Sequence, residues 1–203
     1  MVVSVVRLDQ KRSRVLFDQD LALVLYPEDI RKFSIREGRE LTEEDYERLL
    51  NQVLKPRAKE RVLKTLMVSD KTEKHLRKLL QREGYPKEAV EASISMALSY
   101  RYIDDSAYAA RYLESCGKKK SRRQLMWDMQ KKGFSNELVQ ELLREHPVDE
   151  KEQIRSLLEK KGYCPGEKLD QKTYGKFAGM LARKGYSYEA VSAVLKESSL
   201  IFD

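Results

Sequence analysis

The sequence predicts a mainly α-helical chain: three tandem three-helix repeats in an elongated, curved array, behind a small β-containing module. Three observations carry this. First, one pattern recurs around Gly84, Gly133 and Gly185, spaced by 49 and 52 residues. A period of that size marks a supersecondary unit repeated in tandem. Second, the apolar residues between these glycines recur at helical spacing. Third, the opening residues form short β-branched runs broken by polar turns, which is the pattern of strands.

Residues 1–55 are read as the N-terminal module. Met1 to Leu8 and Ser13 to Phe17 are two strands of a β-meander, and Leu21 to Tyr26 is either a third strand or a helix entry. Pro27 suits the first position of a short helix, and Gly38 marks a turn. Thr42 then caps a helix fronted by Glu43, Glu44 and Asp45, which is expected to stop near Lys55-Pro56, because proline disfavours helix before it.

The repeats are assigned to residues 56–103, 104–148 and 149–203. Each opens with a leading helix: about Pro56 to Leu66, Asp104 or Asp105 to Cys116, and Asp149 to Lys161. A corner helix follows, capped by Thr72, Ser121 or Thr173, twelve residues before its glycine. Leu76, Leu125 and Phe177 stand eight residues before the glycine, and Leu80, Met129 and Leu181 four before. Tyr85, Phe134 and Tyr186 follow it directly. Glycine at C′, an aromatic at C″ and an apolar residue at C3 make a Schellman ending, in which glycine takes the left-handed conformation without a Cβ clash. Arg82, Lys131 and Arg183 put positive charge in the last turn, where the helix dipole favours it. A third helix then begins at Pro86, Ser135 or Ser187. In the last unit Pro165 and Gly166 punctuate a longer connection, Gly162 to Asp170.

Composition narrows the function classes. The 203 residues are 41% hydrophobic, enough for a core, and 36% charged, which suits a helix array with much solvated surface. No apolar stretch approaches the ~18–20 residues of a membrane span, and the opening residues lack the basic region of a signal peptide. A cytoplasmic location is the simplest expectation. Two cysteines, Cys116 and Cys164, are too few for a disulfide framework.

The net charge of +7 is concentrated. From Gly117 to Gly133 stand Lys118, Lys119, Lys120, Arg122, Arg123, Lys131 and Lys132 against a single acid, Asp128. Ser121 and Gln124 make a capping-box pair, so Arg122 and Arg123 fall in a first helical turn, where each cation costs about 0.3–1 kcal/mol. An anionic partner would reverse that sign, using the free N–H groups and the side chains together. The competing reading is a solvated charge run with no partner.

The segment Tyr102-Ile103-Asp104-Asp105-Ser106-Ala107-Tyr108-Ala109, followed by Arg111-Tyr112-Leu113, resembles the Ile-Asp-Asp-x-x-Phe-Ala signature of the RecX regulatory proteins. Ser121 to Phe134 is similar to that family's second repeat, and the resemblance covers residues 56–203. Three departures stand out: His75 and Lys176 replace a glutamate that often completes the cap, no proline follows Gly117, and Tyr108 replaces the usual Phe. The resemblance implies a negative modulator of the RecA recombinase, lying in the groove of the RecA–DNA filament and acting in recombination, DNA repair and the SOS response. The basic patch Lys118, Lys119, Lys120, Arg122, Arg123, Lys131 and Lys132 would then meet either DNA phosphates or acidic RecA side chains. The expected partners are the RecA filament and single-stranded or filament-bound DNA, with no small-molecule substrate and no membrane. A DNA-binding helical protein acting without RecA is the alternative.

No enzyme is legible, and no cofactor or metal is expected. Asp104 and Asp105 fit a helix N-terminus better than a metal or acid–base pair. Gly117-Lys118-Lys119 is not a phosphate-cradling loop, since Tyr112 stands where its first glycine belongs and Lys119 replaces Ser/Thr. His75 and His146 sit in different units without cysteine partners at ligand spacing. Cys116 has cations nearby but no base beside it. Met126 and Trp127 are expected in the core.

Overall fold

The computed structural model describes residues 2–18, 22–163 and 169–196. Leu21, Cys164, Pro165 and Gly166 lie outside the described residues. The chain divides into two compact units, Met1–Asp105 and Ser106–Asp203.

In the first unit β1 (Val2–Arg7), β2 (Ser13–Phe17) and β3 (Ala22–Leu25) form an antiparallel sheet in sequence order. The run before Tyr26 is therefore a strand. Register is fixed through Val5↔Val15 and Val15↔Leu23, which turns Val15, Phe17, Leu23 and Leu25 into the core. Pro27 opens α1 (Pro27–Lys32), where its missing N–H costs nothing. The Tyr26 N–H donates to the buried Asp29 carboxylate at 2.9 Å, and Arg57 grips the same carboxylate at 2.8 and 3.1 Å.

Thr42 caps α2 (Glu43–Leu49), accepting from the Asp45 N–H at 3.1 Å. The helix does not stop at Lys55-Pro56. A π-helical turn, Leu50–Leu54, carries α2 directly into α3 (Lys55–Val68). The Lys55 N–H bonds the Leu50 carbonyl, five residues back, just before the proline. The widened turn absorbs the missing donor and the ring that would otherwise clash with the carbonyl four residues back.

Helices α4 (Glu73–Arg82) and α5 (Lys87–Ser99) complete this unit, and one apolar core serves the sheet and α3–α5 together. Gly84 has φ +82°. Its carbonyl accepts from the Val24 N–H at 3.2 Å, and a Cβ on it would lie 2.2 Å from Val24 Cγ2. The corner thus needs glycine both for its backbone and for its contact with β3.

The second unit continues from α6 (Asp105–Cys116) through α7 (Arg122–Lys132) and α8 (Asn136–Glu145), which close on Leu113, Leu125, Met129, Phe134 and Leu143. Then α9 (Glu150–Glu159), α10 (Gln171–Arg183) and α11 (Tyr188–Lys196) close on Ile154, Leu158, Leu181, Tyr186 and Leu195. Gly133 and Gly185 have φ +102° and +81°. All three corners carry the Schellman pair of bonds: Tyr85, Phe134 and Tyr186 donate to Leu80, Met129 and Leu181, and the glycine donates to Gln81, Gln130 or Ala182.

One cap differs from expectation. Asp170, not Thr173, caps α10, accepting from the Thr173 N–H at 2.8 Å while the Thr173 hydroxyl donates to the same carboxylate at 2.7 Å. An ionised carboxylate is the stronger acceptor at the positive end of a helix, so the helix starts one turn earlier.

Candidate nucleic-acid interface

The basic segment begins in the loop after α6. Gly117 packs so tightly that a Cβ would lie 2.6 Å from the Leu113 carbonyl oxygen, and its own carbonyl accepts from Gln153 Nε2 at 2.6 Å. Gln153 Oε1 in turn accepts from the Tyr186 hydroxyl at 3.2 Å, tying the loop to the Gly185 corner. Lys118 and Lys119 project from this anchored loop and are exposed.

The seven cations differ in their surroundings. Lys120 donates to Asp128 Oδ2 at 2.6 Å and to the Tyr112 hydroxyl at 3.0 Å. The Asp128 carboxylate, then the Tyr112 hydroxyl, hold its ammonium above the ordinary lysine value. Lys132 reaches the same ring, its Nζ 5.1 Å from the Tyr112 centroid, and lies 3.5 Å from the Tyr108 hydroxyl. Both lysines are half-buried and engaged within the fold. Arg122 sends Nη1 to the Leu143 carbonyl at 3.3 Å.

The start of α7 is also occupied from within. Ser121 accepts from the Gln124 N–H at 3.3 Å, the first half of the capping box. Glu150 accepts from the Arg122 N–H at 3.0 Å, while its other oxygen takes the Ser187 N–H at 3.1 Å and hydroxyl at 2.8 Å. One carboxylate therefore serves the starts of two helices. It puts a carboxylate at the Arg122 backbone N–H, at a helix start where the local sequence has no acid. The free N–H groups expected to receive an external anion are largely filled.

What remains outward is one face of α7. Arg123, Gln124, Trp127, Gln130 and Lys131 are all exposed. Trp127, expected in the core, is 59% exposed, with Lys131 Nζ 4.8 Å from its ring centroid. Helical phase explains the error. Leu125 and Met129 are the buried positions, and Trp127 lies two residues from each, on the opposite side. The repeats signalled this, because Lys78 and Gly179 occupy the same place in the other corner helices. Met126 is partly buried against the second-repeat core.

Asp105 accepts from the Glu73 N–H at 3.1 Å, giving its carboxylate to the start of α4. Burial, followed by the charges of Glu73 and Asp104, raises its pKa despite that bond. Asp104 stands immediately before α6. A cleft of about 830 Å³ between α6, α8 and α9 mixes Arg111 and Lys118 with Glu114, Asp149 and Glu152, and holds the exposed His146 at its side. Among the described residues no group of three or more His, Cys, Asp and Glu is placed to hold a metal ion, and no helix is long and apolar enough to cross a membrane.

Residues 149–195 match the family model "RecX, third three-helix domain". The regulatory protein RecX of Caldanaerobacter subterraneus subsp. tengcongensis is 31% identical over 150 residues, covering 72% of this chain and 76% of that protein. That of Clostridium botulinum (strain Eklund 17B / Type B) is 25% identical over 193 residues, covering 94% and 91%. A crystal structure of regulatory protein RecX shares the fold with a TM-score of 0.61 at 21% identity, covering 97% of this chain and 98% of that one. RecX from Lactobacillus salivarius superposes with a TM-score of 0.59 at 18% identity, covering 70% and 95%. With its helix–corner–helix grammar and these relatives spanning most of its length, the chain belongs to the RecX family of regulatory proteins.

Proposed function

We propose that this chain binds the RecA–DNA filament and lowers RecA's ATP hydrolysis and strand exchange, and with them recombination and SOS activity. Family membership supports the partner, and the exposed cations Lys118, Lys119, Arg123 and Lys131 support an anionic surface as the point of attachment. Among the described residues none of these four has an ion-pair partner, whereas Lys120 is committed to Asp128. Unneutralised cations on a well-packed scaffold attract phosphates or carboxylates at a distance and are screened by salt. The action is stoichiometric binding in the cytoplasm, and the reading needs no catalysis, cofactor or small-molecule substrate.

The test is RecA-dependent ATP hydrolysis on single-stranded DNA, titrated with the protein. Hydrolysis should fall as the protein is added. Lys119→Ala, Arg123→Ala and Lys131→Ala combined should keep the wild-type melting temperature and raise the half-inhibitory concentration about tenfold or more, on the order of 0.5 kcal/mol per exposed cation. A folded triple variant that inhibits at the wild-type concentration rejects the patch. The exposed aromatic among the cations favours a second reading, DNA binding without RecA. It replaces the first if the protein binds DNA yet leaves RecA hydrolysis unchanged.

A further inference from the structure

Trp127 is the only tryptophan in the chain, and it stands in water. An indole on an exposed helix face is unremarkable when isolated, but this one is not. Arg123 precedes it by one turn and Lys131 follows by one, so the three form a single stripe along α7. The other exposed residues of that face, Gln124 and Gln130, are uncharged, and the neighbouring Asp128 is neutralised by Lys120 at 2.6 Å. Lys131 lies 4.8 Å from the ring centroid, yet the residue remains 59% exposed. The Arg123 stem runs beside the Gly185 corner, where a Cβ on the glycine would lie 3.5 Å from Arg123 Cβ and 3.7 Å from Cδ.

We propose that Trp127 is a stacking platform for an unpaired base of single-stranded nucleic acid, with Arg123 and Lys131 holding the phosphates on either side. The proposal rests on the reading that the basic segment faces nucleic acid, and it names the residue and the form of the strand. An aromatic face between cations meets both needs of such a ligand, because every base offers a π-face and every linkage a phosphate. Arg123 and Lys131 are about 12 Å apart along the helix axis, room for about three nucleotides at the ~3.4 Å per residue of a stacked strand. A duplex keeps its base faces covered by neighbouring pairs and offers the ring only its backbone. An acidic protein surface would satisfy the cations but leave the indole without a flat partner.

Because the tryptophan is unique, its fluorescence reports this site alone. The full chain is titrated at low salt with an oligothymidylate, with an abasic oligonucleotide of the same length, and with a duplex. Oligothymidylate should quench the emission, and the abasic strand and the duplex should quench it far less. By anisotropy with a labelled oligothymidylate, Trp127→Ala should bind roughly tenfold more weakly, and Trp127→Tyr should keep most of the affinity. Both variants should show the wild-type circular dichroism, since Trp127 is 59% exposed and belongs to no core cluster among the described residues. Equal quenching by the abasic strand, or undiminished binding by Trp127→Ala, overturns the platform. If oligothymidylate quenches but RecA hydrolysis is unaffected, the RecA reading fails and the platform stands. If RecA is inhibited while Trp127→Ala binds oligothymidylate as tightly as the wild type, the platform fails and the RecA reading stands.

Discussion

Gly84 and Gly162 share a left-handed backbone, with φ +82° and +78°, but not the same surroundings. A Cβ at Gly162 would meet nothing within 4 Å, whereas one at Gly84 would drive into Val24 of β3. Gly162→Ala should therefore cost only the conformational term, about 1 kcal/mol after the gain from a stiffer unfolded chain. Gly84→Ala should cost about 1–3 kcal/mol more, because two packed backbones must separate. Thermal or urea unfolding of the two variants checks the order. Adding Val24→Ala to Gly84→Ala should return part of the loss, since it removes the Cγ2 atom nearest the new methyl. Equal costs at the two glycines, with no rescue, would show that the approach of the corner to β3 is unimportant. At Gly84 the left-handed backbone was legible in the sequence, since a Schellman ending is local; at Gly162, read only as the start of a longer connection, it was not. The collision with Val24 was not, because it joins residues sixty positions apart.

At the scale of elements, the corners that lack glycine show where local reading stops. Ser34 and Arg101 have φ +50° and +55° and make the same pair of bonds: Ser34 and Ile35 donate to Arg31 and Ile30, and Arg101 and Tyr102 donate to Leu98 and Ala97. Nothing in a serine or an arginine announces that role. The same holds for helix starts. Thr42, Thr72 and Ser121 cap their own helices, as near neighbours can, but Glu150 and Asp105 serve helices whose starts lie 28 and 32 residues away. Asp105 gives this arrangement a pH signature. Its folded pKa is raised, mainly by burial, so the folded chain holds that proton more tightly than the unfolded chain does. The stability it contributes is fully present below the unfolded aspartate value and is lost as pH rises through the folded one. Asp105→Asn keeps an acceptor for the Glu73 N–H without the charge. It should be more stable than the wild type at pH 7, and the difference should shrink as pH falls through the carboxylate range. Melting temperatures from pH 7 to pH 4 decide it. A less stable Asn variant at pH 7 would mean that the positive end of α4 outweighs the burial of the carboxylate.

For the whole molecule the useful quantity is not the net charge of +7 but how much of it is free to meet a partner. The concentration of cations between Gly117 and Gly133 was plain from the sequence, yet their division was hidden, because it depends on Tyr112 from α6 and Glu150 from α9 reaching the segment from elsewhere. Lys120 is held by Asp128 and Tyr112, while Arg123 and Lys131 stand on the open face beside Trp127. The salt dependence of oligonucleotide binding separates these roles. Each phosphate contact on a single strand contributes about 0.7 to the slope of log K against log salt concentration. Arg123→Ala and Lys131→Ala should each lower the slope by about that amount and leave the melting temperature unchanged. Lys120→Ala should do the reverse. It leaves the half-buried Asp128 carboxylate without its cation, at a cost on the order of 1 kcal/mol for a pair this close to solvent, while the slope stays at the wild-type value. Anisotropy titrations across a salt series, paired with melts of the same three variants, measure both quantities. If Lys120→Ala flattens the slope as much as Arg123→Ala does, the lysine leaves Asp128 to meet the strand, and the division of the patch into inward and outward cations is wrong.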